Sequence, residues 1–283
     1  MAVETTRTSA RAWSPDLHSF VPRDVIPDAL ILQTSIVAGA VEGDAPSVRV
    51  PYVSDATAQF IAEGAEIPES DPSLSEVLVF TGKVSQLIRL SREQWSQDGA
   101  GDLLSESVRR AVTTRANVAY LAQAAPAAGS STPPAGLLNI AGVVNGGVIG
   151  ADLDKLADAL AAIEGANGTA THIIASPTAW SYLRRMKTAS GAATTLLGAG
   201  TADVERRLLG VPVLTSPAVP TDQLLVLDRT SVVSAVGDVK VAVSEHTYFS
   251  SDSIALRCTW RFGQNLVRPD RVVKLTTVQP TTV

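Results

Sequence analysis

Phe60-Ile-Ala-Glu-Gly-Ala-Glu-Ile-Pro-Glu-Ser-Asp71 is the stretch on which the fold turns. Gly64 and Pro68, with Pro72 just beyond, interrupt any regular element through it. Its flanks read as extended. Val48 and Val50 alternate with polar neighbours before Pro51. Phe80, Val84, Ile88 and Leu90 share one face, with Thr81, Lys83, Ser85, Arg89 and Ser91 on the other. That period of two predicts strands, so residues 52–85 form a long hairpin whose irregular tip is larger than a turn requires. From Ser54 to Gly82 the chain holds six acids (Asp55, Glu63, Glu66, Glu69, Asp71, Glu76) and no Lys or Arg. Such a run reads either as a solvated acidic loop or as an arm that lies across a neighbouring subunit and meets basic residues there. On the second reading Glu63, Glu66, Glu69 and Asp71 meet the arginine pairs Arg109–Arg110, Arg184–Arg185 and Arg206–Arg207 of a neighbour.

Outward from the hairpin, residues 1–46 mix Pro15, Pro22, Pro27 and Pro46 with scattered charge and no sustained period. They predict either an extended arm ordered by a partner surface or a frayed terminus. Residues 98–125 predict a long helix, with Leu104, Val108, Ala111, Val112, Val118, Ala119 and Ala122 near helical spacing. Asp98 or Asp102 caps its start and Pro126 ends it. The Ser-, Pro- and Gly-rich residues 126–136 mark a boundary. An α/β module follows. Asp152 caps a helix with Leu153, Leu156, Leu160 and Ile163 on one stripe, ended by Gly165. His172-Ile-Ile-Ala175 is a buried-type strand, and Ser176-Pro177 opens a helix through Trp180, Leu183 and Met186. A short helix over Asp203–Leu209 leads into a strand at Val211–Leu214, and from Leu224 the pattern is repeated strands. The fold class is α+β.

Composition limits the function. The chain has 283 residues, of which 45% are apolar and only 18% charged, against about 25% charged in an ordinary soluble domain. Either a membrane segment or a large surface buried between subunits accounts for the deficit. The longest uncharged stretch, Ala116–Ala151, is broken by Pro126, Pro133, Pro134 and several glycines. It cannot supply the roughly 20 apolar residues of a spanning helix, so no membrane contact is expected. The start, MAVETTRTSARAW, lacks an apolar core behind its basic residues, and a secretory signal is not expected either. A net charge of −5 argues against gripping nucleic acid as a main task. Cys258 is the only cysteine, which leaves no disulfide framework and no thiolate metal cluster.

A search for catalytic chemistry finds nothing that outranks a structural explanation. His18, His172 and His246 have no metal-binding spacing, and there is no phosphate loop or nucleophile elbow. Gly198-Ala-Gly200 starts like a dinucleotide fingerprint but continues with Asp203 and follows no strand. Glu63 and Glu66 sit on a projecting loop, a poor place to shift a pKa. No catalytic residue, cofactor or metal is expected.

The order of elements resembles the major capsid protein of tailed phages, the Hong Kong 97-type fold. Residues 60–71, Ile88-Arg-Leu-Ser91, Pro134-Ala-Gly-Leu-Leu-Asn139, Ser176-Pro-Thr-Ala-Trp180 and Leu209-Gly-Val-Pro-Val213 are similar to that family's segments in the same order, across about residues 47–283. The resemblance implies an amino-terminal arm (1–46) and an extended loop (54–83). It implies a peripheral domain with a spine helix (47–53, 84–128 and 235–267) and an α/β axial domain (129–234 and 268–283). It implies a structural role: subunits in hexamers and pentamers form an icosahedral head that encloses double-stranded DNA without strong sequence-specific binding. It implies assembly in the bacterial host cytoplasm, with separate scaffolding, portal and decoration proteins as the expected further partners. With 46 residues ahead of the first similar strand, scaffolding is expected to be separate or unnecessary. Some family members link subunits through a lysine on the extended loop; residues 54–82 carry none and Lys83 stands at its base, so the shell is expected to be non-covalent. An encapsulin-like nanocompartment shell and, from another class, an α/β enzyme or ligand-binding module are the rival readings.

Overall fold

The computed structural model describes residues 17–41, 47–54, 60, 73–95, 97, 100–189, 194–197 and 206–278. Short elements come first: β1 (Leu17–Phe20), α1 (Pro22–Val25), α2 (Leu30–Thr34) and β2 (Ile36–Ala40). The hairpin strands β3 (Ser47–Ser54) and β4 (Ser73–Phe80) follow, then β5 (Gly82–Ser91), α3 (Arg92–Trp95) and the long α4 (Ala100–Ala122). The middle of the chain alternates: β6 (Val144–Ile149), α5 (Asp154–Gly165), β7 (His172–Ala175), α6 (Pro177–Arg185), β8 (Arg207–Leu208), β9 (Val211–Thr215) and β10 (Gln223–Leu227). It closes with β11 (Val232–Val236), β12 (Val239–Tyr248), β13 (Ser253–Leu266) and β14 (Val272–Thr277).

Two sheets share one core. In the first, β13 is the axis. Thr259 pairs with Ser85 of β5 on one side and Lys240 of β12 on the other, while Phe262 pairs with Gly82 and Val236. Strands β11 and β12 therefore run end to end along one edge of β13, with β5 along the other, and β2 and β1 lie beyond β11 and β12. The even residues of β13, Leu256, Cys258, Trp260 and Phe262, are buried against Val108, Val112, Tyr120 and Leu121 of α4. The second sheet runs β6-β14-β10-β7-β9-β8. One face, carrying Ile173, Leu224, Val226 and Val273, packs on α5 and α6 through Leu156, Ile163, Ala179 and Leu183. The other, with Ile174, Leu225, Leu227 and Val272, joins the core of the first sheet.

The motifs quoted above have local physical work to do. Ser91 Oγ accepts from Gln94 N–H at 3.2 Å, and Gln94 Oε1 accepts from Ser91 N–H at 3.5 Å, a reciprocal cap that turns β5 into α3. Asn139 Nδ2 donates to the carbonyls of Ala122 and Gln123 at 3.1 and 2.9 Å, closing the open end of α4. Ser176 Oγ accepts from Ala179 N–H at 3.1 Å above Pro177 at the first turn of α6.

Several expectations change. Residues 17–41, expected in an arm, are built into the body: Ile26, Ala29, Leu30 and Ile31 are buried, and Thr34 Oγ1 lies 2.9 Å from the Tyr120 hydroxyl. Pro22 and Pro27 cut the segment into pieces too short to show a period, which is why it read as an arm. Over residues 206–209 the expected Asp203–Leu209 helix is replaced by β8 and a turn through Leu209 (φ 50°) and Gly210 (φ 83°) into β9. Val211 pairing with Leu208 outweighs local propensity there. Residues Val232–Ser234, expected in the axial domain, belong to β11 of the first sheet. The chain changes sheets between Leu227 and Val232. The strand reading through Phe80 also loses its phase: Val79 is buried in β4, whereas Val84 and Ile88 pack inward in β5, because Thr81 breaks the run. The long helix ends at Ala122, four residues before Pro126; Asp102 falls inside it, and Asp98 lies outside the described residues.

Candidate assembly surfaces

The hairpin begins as a regular ladder. Strands β3 and β4 pair from Ser47↔Phe80 to Ser54↔Ser73 and form a two-stranded sheet of their own. Val53 stands opposite Leu74, and both are exposed. Arg49 Nη1 bonds Glu76 Oε1 at 2.9 Å in the open, a pair that salt readily screens. Of the tip, Phe60 is described and is wholly exposed; Glu63, Glu66, Glu69 and Asp71 lie outside the described residues. At its root the hairpin crosses the first sheet. Asn265 Nδ2 donates to Leu78 O at 2.8 Å, Arg261 Nη1 donates to Thr81 Oγ1 at 3.2 Å, and Val79 is buried against Val233 and Ala235. Gly263 makes the crossing possible, because a Cβ there would stand 2.0 Å from Phe80 O.

The three arginine pairs are not gathered at one place. Arg109 lies on α4 and is already engaged: Nε and Nη2 donate to Glu106 at 3.0 and 2.7 Å, and Arg110 reaches the same carboxylate at 3.5 Å. Those guanidinium hydrogen bonds hold the Glu106 carboxyl below its ordinary range. Arg184 and Arg185 occupy the last turn of α6, where the helix dipole favours cations, and both are exposed. Arg206 Nη1 donates to Thr215 Oγ1 at 2.6 Å, and Arg207 lies in β8 at the edge of the second sheet.

A different basic surface appears that no single run along the chain announces. Lys83, Ser85, Leu87 and Arg89 of β5, Arg257, Thr259 and Arg261 of β13, and Lys240, Ala242 and Ser244 of β12 occupy one side of the first sheet, opposite the core. Five of these ten side chains are cationic and none is acidic. Alternation within each strand was legible; that the three strands adjoin was not.

The sites that could hold chemistry are sparse. An apolar groove of about 440 Å³ lies between α4, β12 and the amino-terminal segment. Arg109, already bound to Glu106, is the one ionic side chain among the residues that line it. Burial pushes the Cys258 thiol up, away from the reactive thiolate. His172 is held below its usual range by burial and by the Arg229 charge. Among the described residues no group of three His, Cys, Asp or Glu side chains could hold a metal ion, and no helix is long and apolar enough to cross a membrane.

Residues 32–277 match the phage capsid family. The chain belongs to that family. As a phage capsid protein it is a structural major capsid subunit of a phage head and a component of the virion. A comparison with curated proteins returns no match. Among solved structures the capsid chain is similar to a protein of Gordonia phage Cozz, at 16% identity and a TM-score of 0.70, with 89% of this chain and 87% of that chain covered. It is similar to the capsid of an empty GTA particle computed with C5 symmetry, at 16% identity and a TM-score of 0.65, covering 98% and 100%. Mycobacterium phage Bobi supplies another, at 16% identity and 0.63, covering 99% and 96%. The mixed helix-and-sheet fold is that of phage capsid structures.

Proposed function

We propose that this capsid subunit assembles with copies of itself into the closed icosahedral head of a tailed phage, in hexamers and pentamers around double-stranded DNA, within the host cytoplasm. Its parts correspond to the Hong Kong 97-type plan. The β3–β4 hairpin and the residues it carries form the extended loop, α4 is the spine of the peripheral part built on the first sheet, and the second sheet is the core of the axial part. Residues 1–16, the rest of the expected arm, lie outside the described residues. The observation that carries this reading is the hairpin: a ladder with Val53 and Leu74 in the open, Phe60 exposed beyond it, and five acids but no Lys or Arg between Asp55 and Pro72. A monomer gains nothing from holding such apolar groups in water, whereas a neighbour in a shell covers them. Heterologous contacts of this kind close into rings.

The experiment is electron microscopy of the purified chain, with the variant Glu63→Lys/Glu66→Lys beside it. Closed phage-sized shells are expected for the native chain, and a large loss of shells with an unchanged monomer for the variant. Isolated particles of a single subunit would refute assembly, and small shells filled with cargo enzyme would assign a nanocompartment instead.

A further inference from the structure

We propose that Asn145-Gly146, on the edge strand β6 of the second sheet, is a site of spontaneous deamidation that turns the Asn145 side chain into a carboxylate beside Lys274. Two of the five asparagines, Asn145 and Asn167, precede a glycine. Glycine is the neighbour that most favours this reaction, because it has no Cβ to shield its own backbone nitrogen from the asparagine side chain. The two pairs sit in opposite surroundings, and that contrast selects the site.

The step needs only water. The Gly146 backbone nitrogen loses its proton to solvent and attacks Asn145 Cγ. A C–N bond forms, the Cγ–Nδ2 bond breaks, and Nδ2 leaves as ammonia with a proton taken from water. A second water then opens the five-membered succinimide at one of its two carbonyls. One opening restores the chain with an aspartyl side chain; the other routes the chain through the former side chain as an isoaspartyl residue. Negative charge builds on Oδ1 during the attack, so a donor already aimed at that oxygen lowers the barrier.

Asn145 meets these requirements. It is exposed, on a strand that ends the sheet. Gly147 N–H donates to Asn145 Oδ1 at 3.1 Å, which polarises the amide and folds it back over the Asn145–Gly146 peptide. Nδ2, the leaving group, has no bonded partner among the described residues. The ladder to β14 pairs Asn145 with Lys274 and Gly147 with Leu275, so Gly146 is the residue it skips. The fold also keeps glycine there, since a Cβ would stand 2.5 Å from Leu275 Cδ2 and 2.9 Å from Val273 Cγ1. Asn167 is the reverse case. It follows α5 at φ 56°, and Gly168 N–H donates to Ile163 O at 2.9 Å, so the nitrogen that would attack is already committed. The product at 145 meets a cation. Lys274 is opposite Asn145, about 5 Å away at ordinary strand spacing; it is half-buried and has no ion-pair partner among the described residues. Each converted subunit gains one negative charge at this edge.

The test ages the purified full chain in mildly alkaline buffer, made with ordinary or heavy-oxygen water, and follows its tryptic peptides by tandem mass spectrometry against a sample digested at once. Asn145 is expected to gain one mass unit in ordinary water and three in heavy-oxygen water. Its conversion should run about tenfold faster than that of Asn167, the rate penalty of breaking one hydrogen bond before the nitrogen is free. Asn145→Gln should abolish the gain, because the larger ring closes far more slowly. Equal conversion at 145 and 167 overturns the proposal. So does an amide at 145 that is still intact when a synthetic peptide of residues 142–150 has converted. For the cation, Asn145→Asp should melt no lower than the native chain, and lower once Lys274→Met is added than Lys274→Met alone. A melt indifferent to Lys274 overturns the pairing.

Discussion

Asp228 and Arg271 sit where the chain passes between its sheets, one just after β10 and the other just before β14, and both are nearly excluded from water. Arg271 Nη1 stands 3.6 Å from Asp228 Oδ2, and Arg271 Nε donates to Ala166 O at 2.9 Å. Asp228 also accepts from Thr230 N–H and the Thr230 hydroxyl at 2.9 and 2.8 Å. A pair this dry contributes less through mutual attraction than it would cost to break. Arg271→Met leaves a buried carboxylate without its cation and should lower stability by about 3–5 kcal/mol, with Arg271→Met/Asp228→Asn less damaged. Denaturant unfolding of the unassembled subunit checks it, and a loss under about 1 kcal/mol would contradict the assignment. His172 yields a pH prediction. Its folded pKa lies below the ordinary 6.5, so as pH falls the unfolded chain takes up this proton first. Stability therefore rises with pH below about 6.5 and is flat above it on this account. The native chain should lose more melting temperature between pH 7.5 and 5.5 than His172→Gln; parallel curves would remove His172 from the account.

Among the elements, α4 and the segment after it depend on each other. Gly136 N–H donates to Gln123 O at 2.8 Å, and a Cβ on Gly136 would stand 2.6 Å from the backbone of Leu121 and Gln123. Leu137 and Leu138 are then buried and Asn139 closes the helix end. Asn139→Ala should cost about 1 kcal/mol, the worth of exposed capping bonds. Gly136→Ala should cost several times more, because backbone cannot move aside as a side chain can. Thermal melts of the two variants rank them, and equal losses would mean the segment relaxes freely. This is also where the sequence was most and least informative. The strands from Leu224 onward, the period of α5, and α6 with its Ser176 cap followed from chemistry that acts over a few residues, whereas the expected Asp152 cap of α5 did not hold: Leu153 stands at that N-cap, and Asp152 Oδ1 accepts from Asp154 N–H at 3.3 Å instead. The burial of Ile26, Ala29–Leu32, Thr34 and Ser35 did not follow in this way, since it depends on Tyr120, Asn117 and Ser234, far away in the chain. The basic rows were hidden for the same reason: Lys83, Lys240 and Arg257 meet only through register.

For the whole molecule, low charge content and a −5 balance describe two unlike surfaces on one chain, an acidic projection and a basic bed. On the proposed reading of the hairpin as an intersubunit arm, its acids meet a neighbour's basic side chains at exposed contacts that salt screens, so shells should loosen as ionic strength rises well before the subunit unfolds. Light scattering against salt, set beside circular dichroism, distinguishes the two events; simultaneous loss would place the shell's cohesion in apolar burial instead. Because no lysine lies between residues 54 and 82, boiled shells should run as single subunits, and a ladder of linked forms would show a covalent bond made elsewhere.

The crossing at Gly263 gives the hairpin a fulcrum. Eight paired residues on each strand make a beam of about 26 Å at about 3.3 Å per residue. Clamped at its root, such a beam turns with the sheet, and a tilt of about 5° carries its far end through roughly 2 Å, most of a hydrogen-bond length. Subunits seated at slightly different angles thus present their tips at measurably different heights. The length of the ladder sets that leverage, and one residue without a side chain at the pivot is what lets the strands cross so closely.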